Sequence, residues 1–209
     1  MIRTSQLKYS YDKRVFFQFP DIELAQGEQG LILGKSGTGK TTFLHLLAGL
    51  RKCHQGTIIV QNISIQELES SKLDKFRAKH IGIIFQKPHF LKALTIKENL
   101  SYAQYFAGNE RNEDKISEML ERLDIQQRAN SKLSELSEGE KQRVSIAIAL
   151  LNQPSVVLAD EPTSSLDDEN AEKVIKLLQE QATLQKSTLL IVTHDSRMKS
   201  FFKNHIILN

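Results

Sequence analysis

The sequence predicts an α/β fold, a largely parallel sheet core interrupted by a helical insertion. Three observations carry that reading. Segments 81–85, 155–159 and 188–193 are nearly continuous apolar runs, as expected of strands covered on both faces of a parallel sheet. Segment 29–33 is another short apolar run, and it passes through a glycine-rich turn into apolar residues at helical spacing, a strand–turn–helix unit. The stretch from about 88 to 150 is helix-rich and holds no convincing strand, so it reads as an insertion. The 209 residues suit one domain, 1–209, with that insertion as a subdomain.

Strand patterns fall at 2–9, 29–33, 56–60, 81–85, 155–159, 188–193 and 205–208, and helical patterns at 41–50, 97–106, 114–123, 140–151 and 168–183. Thr95-Ile96-Lys97-Glu98 is a capping box, in which a hydroxyl and a carboxylate satisfy orphan backbone donors at a helix start. Ser137-Glu138-Gly139-Glu140 has the same form. On local grounds Ser164-Ser165-Leu166-Asp167 is a polar turn that caps the helix over 168–183.

Composition bounds the function. Hydrophobic content of 40% and charged content of 25% are ordinary for a globule with a real core. A net charge of +3 is too mild to argue for nucleic acid. No apolar run approaches the roughly 18 residues of a bilayer span, and Met1-Ile2-Arg3-Thr4-Ser5 opens no signal-peptide core. Cys53, the single cysteine, forms no internal disulfide and is compatible with a reducing compartment. The six histidines show no metal-ligand spacing.

The chemistry begins at Gly34-Lys35-Ser36-Gly37-Thr38-Gly39-Lys40-Thr41-Thr42, which fits G-x-x-x-x-G-K-T between a strand and a helix. Small residues let successive N–H groups point at phosphate oxygens, and the helix N-terminus adds partial positive charge. Lys40 is expected to reach the β- and γ-phosphates of ATP and the Thr41 hydroxyl to ligate Mg²⁺. The strand over 155–159 runs into Asp160 and Glu161, carboxylates at the edge where a parallel sheet binds ligands. Asp160 is expected to hold Mg²⁺ and Glu161 to polarise the attacking water. His194 ends another apolar strand on the same edge, where it can sense the γ-phosphate. Gln86 follows the strand over 81–85, within reach of Mg²⁺ or the water.

Taken in order, the cradle, Gln86, Leu136-Ser137-Glu138-Gly139-Glu140-Lys141-Gln142-Arg143, Val156-Val157-Leu158-Ala159-Asp160-Glu161, Ser164-Ser165-Leu166-Asp167 and His194 resemble the ATP-binding cassette of ABC transporters. The resemblance spans roughly 1–208. Leu158-Ala159-Asp160-Glu161-Pro162-Thr163 and Leu94-Thr95-Ile96-Lys97-Glu98-Asn99-Leu100 are most similar to the branch of lipoprotein-release, macrolide-export and cell-division cassettes.

The resemblance implies a P-loop NTPase fold with an antiparallel β subdomain beside the parallel core. It implies that Tyr11 stacks on adenine, with Tyr9 as the alternative, since an aromatic face suits a flat base. Ser137 and Gly139 would close on the γ-phosphate bound to an opposite subunit, and Asp167 would couple the two sites. Residues 86–95 would hold a short helix of a membrane subunit. The implied cofactors are ATP and Mg²⁺. The implied partners are a second cassette, in a homodimer or heterodimer, and an integral permease, with no nucleic acid. The implied place is cytoplasmic, peripheral on the inner face of the cell membrane. One departure stands out: the family usually has glycine where Glu138 stands. A carboxylate in the first turn of a helix is favourable when it points away from triphosphate.

The function expected is an ATP-hydrolysing subunit that dimerises on ATP-Mg²⁺ to drive a permease. The alternative is the same engine regulating a membrane protein of the cell envelope that moves no substrate. Nucleic-acid ABC ATPases have fused cassettes or long coiled coils, and this chain has neither. A small-molecule P-loop kinase has no use for segments 136–143 and 164–167.

Overall fold

The computed structural model describes residues 1–12, 16–164 and 166–208. In chain order these form β1 (Ile2–Ser10), β2 (Phe16–Gln18), β3 (Glu23–Leu24), β4 (Gln29–Gly34), α1 (Lys40–Leu47), β5 (Gln55–Val60), β6 (Ile63–Ser64), α2 (Ser70–His80), β7 (Ile81–Ile84), α3 (Ile96–Phe106), α4 (Glu113–Arg122), α5 (Glu138–Leu150), β8 (Val156–Asp160), α6 (Asp168–Leu184), β9 (Thr188–Thr193) and β10 (Asn204–Leu208).

Strands β10-β4-β9-β8-β7 make one sheet in that order, and every pairing in it is parallel. Its side chains alternate between two hydrophobic clusters. Leu31, Leu33, Val157, Ala159, Leu189 and Ile191 face one; Ile32, Val156, Leu158, Leu190 and Val192 face the other. That double burial explains why these strands read as unbroken apolar runs. The first cluster takes in Leu100 of α3, Ile116 and Leu120 of α4, Val144 and Leu150 of α5 and Leu178 of α6. The second takes in Phe43, Leu44 and Leu47 of α1 and the inner face of a second sheet. That sheet has the order β2-β1-β5-β6, with β3 also on β1, and its pairings are antiparallel.

Register sets the site. Leu33, near the end of β4, lies opposite Thr193 of β9, and Val192 lies opposite Asp160 at the end of β8. The cradle, Asp160, Glu161 and His194 therefore leave the sheet on one edge. The helical insertion is held by the expected caps: the Thr95 capping box on α3 and the Ser137 capping box on α5. Asp167 caps α6 by accepting from Asn170 N at 2.9 Å.

Several bounds differ from the sequence reading. The helix read over 140–151 starts at Glu138, because Ser137 caps it there. The helix read over 41–50 ends at Leu47, and Gly49 follows with φ 65°, a left-handed stop that glycine takes without strain. The strand read over 81–85 ends at Ile84. Sequence reading missed β2, β3 and β6, which are two or three residues long, too short for periodicity to register. It also missed α2, whose one buried residue is Phe76; a helix without an apolar stripe carries no periodic signal.

Candidate active site

The cradle hangs between β4 and α1. Gly39 sits at the N-cap of α1 with φ 91°, and a Cβ there would meet Phe17 Cδ1 at 2.8 Å. A Cβ on Gly34 would meet Leu208 O at 2.6 Å. Both glycines are thus demanded by the backbone path as well as by phosphate access. Lys35, Ser36, Gly37 and Thr41 are exposed on the loop rim, while Lys40 is buried. Its Nζ donates to Gly34 O at 2.9 Å and Lys35 O at 3.1 Å. Thr38 Oγ1 closes the loop onto Lys35 O at 3.0 Å.

Asp160 is buried, and its Oδ1 has no hydrogen-bond partner among the described residues. Burial raises its pKa above the ordinary carboxylate value; a hydrogen bond from the Thr41 side chain opposes this, and neighbouring Glu161 adds to it. A partnerless buried carboxylate oxygen calls for a cation or water. Thr41 and Asp160 therefore fit Mg²⁺, a hard ion that takes oxygen ligands and keeps waters.

Glu161 follows with φ 46°, a left-handed conformation that costs a non-glycine residue about 1–2 kcal/mol. Strain of that kind persists where the surroundings over-determine it, and it gathers at functional sites. Here they do. Glu161 N donates to Val192 O at 2.9 Å. Oε1 accepts from His194 N at 3.0 Å and lies 2.9 Å from His194 Nδ1. Oε2 accepts from Thr193 Oγ1 at 2.7 Å. Burial pushes the Glu161 pKa up, but the hydrogen bonds from His194 and Thr193 outweigh it and hold the carboxyl below its usual range. The result is an ionised carboxylate fixed at the phosphate crevice. Sequence reading missed Thr193 as an orienting group, since a strand threonine carries no distinguishing signal until β9 is laid beside β8.

Of the two tyrosines, Tyr9 is buried and Tyr11 is 58% exposed, so only Tyr11 offers a face to a base. Its hydroxyl shares a 2.7 Å hydrogen bond with Thr42 Oγ1, which ties it to the cradle helix. Ser137 is exposed, and its Oγ donates to Glu140 Oε2 at 2.9 Å. Space beside Gly139 is open: a Cβ there meets nothing within 4 Å. Glu138 Oε1 pairs with Lys141 Nζ at 2.7 Å. Gln86 is exposed and stands on a groove of 620 Å³ that also touches Lys87, Phe90, Lys92, Glu138 and Gln142. Of the segment 164–167, Ser165 lies outside the described residues.

A phosphate cradle set against paired carboxylates on the edge of a parallel sheet places the molecule among the P-loop nucleoside triphosphatases. The family model for the ABC transporter matches residues 18–164, well over half of the chain. The chain belongs to the ABC transporter family and is an ATP-binding, ATP-hydrolysing subunit of that family. It is 37% identical over 199 residues to the lipoprotein-releasing system ATP-binding protein LolD of Treponema denticola, covering 94% of this chain and 88% of that one. It is 37% identical over 200 residues to LolD of Bacteroides fragilis, covering 95% and 93%. Its structure matches the dimeric post-hydrolysis state of the ATP-binding cassette MJ0796 bound to ADP and Pi with a TM-score of 0.89, at 31% identity, over 100% of this chain and 94% of that one. No helix among the described residues is long and apolar enough to cross a membrane.

Proposed function

We propose that two cassettes close face to face on ATP-Mg²⁺ and that hydrolysis opens them, driving a permease docked from the membrane. The observation that carries this is Glu161, strained, ionised and held by His194 and Thr193 beside the buried Lys40. When bound, Mg²⁺ supplies charge neutralisation on phosphate oxygens, and Thr41 and Asp160 would hold it, with Gln86 as a further contact. Gly34, Lys35, Ser36, Gly37, Thr38, Gly39, Thr41 and Thr42 cradle the phosphates, and Lys40 binds the terminal ones. Glu161 accepts a hydrogen bond from water and orients it on the γ-phosphorus. The water oxygen bonds to the γ-phosphorus and gives a proton to Glu161 as the bond to the bridging oxygen breaks, and ADP and phosphate leave. His194 fixes Glu161 and reads the γ-phosphate. Ser137 and Gly139, at the start of α5, cap the nucleotide bound to the facing copy. Losing the γ-phosphate removes those contacts, and the nucleotide drives the clamp only through its differential affinity for closed over open.

The two LolD relatives belong to lipoprotein-releasing systems, and they support a membrane complex of that type. The groove at Gln86 is the docking place we assign to its cytoplasmic helix, with the cassette peripheral on the inner face of the membrane. The test is Glu161→Gln. The variant should bind ATP, lose 10²–10⁴-fold in turnover and run as a dimer with ATP-Mg²⁺ and a monomer with ADP in size exclusion with light scattering. Turnover at the parent rate would remove Glu161 from its role. An inactive, ATP-binding monomer would point to a different cassette as the partner.

A further inference from the structure

Arg51 leaves the end of α1 on the side where Tyr11 stands. Its backbone N–H donates to His45 O at 3.3 Å, so the chain beyond α1 is fastened to the helix that starts at the cradle. Its guanidinium carbon lies 4.9 Å from the centre of the Tyr11 ring and 5.9 Å from that of Tyr9. Its Nη1 donates to Tyr9 Oη at 3.0 Å. Tyr9 stands perpendicular to Tyr11, at 89° and 5.0 Å between centroids. Phe17 stands nearly so, at 86° and 6.2 Å.

We propose that Arg51 is a positioning residue for the base of the bound nucleotide: it stacks on Tyr11 and holds that ring as a fixed platform. The proposal rests on the reading of Tyr11 as the adenine platform. Three features support it. A guanidinium over an aromatic face is a cation–π contact that restricts the ring. The bond to buried Tyr9 fixes the guanidinium itself, so the restraint is referred back to the core and not to solvent. Tyr11 remains 58% exposed despite these neighbours, which leaves it surface for a purine. The cation also draws π-density from the ring, and that favours stacking on an electron-rich base. A platform ordered before binding lowers the entropy lost when the base arrives.

The test separates the base from the phosphates. ATP and inorganic tripolyphosphate are titrated calorimetrically against the parent chain, Arg51→Ala, Arg51→Gln, Tyr11→Ala and the Tyr11→Ala/Arg51→Ala double variant. Arg51→Gln keeps a donor for Tyr9 and removes the charge, and it serves if Arg51→Ala is poorly folded. The expected result is ATP affinity about two- to five-fold weaker in either Arg51 variant, with tripolyphosphate affinity unchanged. On the Tyr11→Ala background the Arg51 change should add nothing. Equal loss for ATP and tripolyphosphate would make Arg51 a phosphate contact and overturn the proposal. A full effect persisting without Tyr11 would overturn it too, as would no effect of Arg51 where Tyr11→Ala weakens ATP. If Tyr11→Ala leaves ATP binding intact, the platform reading itself fails and the proposal falls with it.

Discussion

Lys40 Nζ lies 3.4 Å from Glu161 Oε1, and both side chains are nearly excluded from solvent, at 7% and 8% exposure. The two residues to which we assign phosphate binding and hydrolysis thus form one buried ion pair, and substitution of either is felt by the other. A buried charge stripped of its partner is costly, typically about 3–5 kcal/mol.

Lys40→Ala should therefore do two things. ATP affinity should fall ten-fold or more, because a charge-assisted contact to phosphate is worth about 1.5–3 kcal/mol. The free chain should also melt lower, by less than the full buried-pair penalty, since Glu161 keeps its bonds to His194 and Thr193. Adding Glu161→Gln should restore part of the melting temperature and none of the binding. Calorimetry and thermal melts check both halves, and unchanged ATP binding would remove Lys40 from the cradle.

Gly139→Ala should separate folding from assembly. Alanine is favoured over glycine in a helix by up to about 1 kcal/mol, and the added methyl has open space around it. The free chain should melt at the same temperature or higher. In the Glu161→Gln background, the ATP-dependent dimer should weaken, because that space is where we propose the facing nucleotide sits. A dimer of unchanged stability would place Gly139 outside the interface.

Glu138→Gly should change ATPase turnover by less than about ten-fold, under 1.4 kcal/mol of barrier. Glu138 is engaged along its own helix with Lys141 at 2.7 Å, which neutralises the charge locally. A much larger gain in turnover would identify Glu138 as a brake.

The Glu140 carboxylate gives α5 a pH dependence. Hydrogen bonds from the Ser137 backbone and hydroxyl, and then from Arg128, hold its pKa below the ordinary glutamate value. A pKa depressed in the folded chain adds stability above the unfolded pKa, and that stability is lost as pH falls through the folded one. Parent and Glu140→Gln should differ most in melting temperature near neutral pH and converge in acid. A gap of constant size would show that the charge on Glu140 is irrelevant to the cap.

Much of this was legible in the sequence, for identifiable reasons. Strands β4, β8 and β9 were visible because both faces are buried, and the cradle was visible because glycine and lysine occur there in fixed order. Ser137 and Thr95 announced their helices because capping is local chemistry. What escaped depends on contacts far along the chain. Phe17 meets Gly39 only once β2 lies over the loop. Thr193 orients Glu161 only because parallel pairing sets β9 beside β8. The choice between Tyr9 and Tyr11 needed burial. Two residues apart, they share a face by alternation, and their burial differs because β1 ends at Ser10 and Tyr11 lies beyond it.

The division of the interior by the parallel sheet has a mechanical consequence. The helix that follows the cradle, α1, is rooted in one apolar reservoir through Phe43 and Leu47. The helix that begins at Ser137, α5, is rooted in the other through Val144 and Leu150. On the proposed function, each molecule would hold its own ATP from one reservoir and its neighbour's from the other. If so, slackening the second, as by shortening Leu120 of α4, should weaken the ATP-dependent dimer more than ATP binding by the free chain. On that proposal, a membrane partner that leans on the helical insertion would press first on the reservoir beneath α5, and would reach α1 only through strands such as β4 and β8 that both reservoirs share.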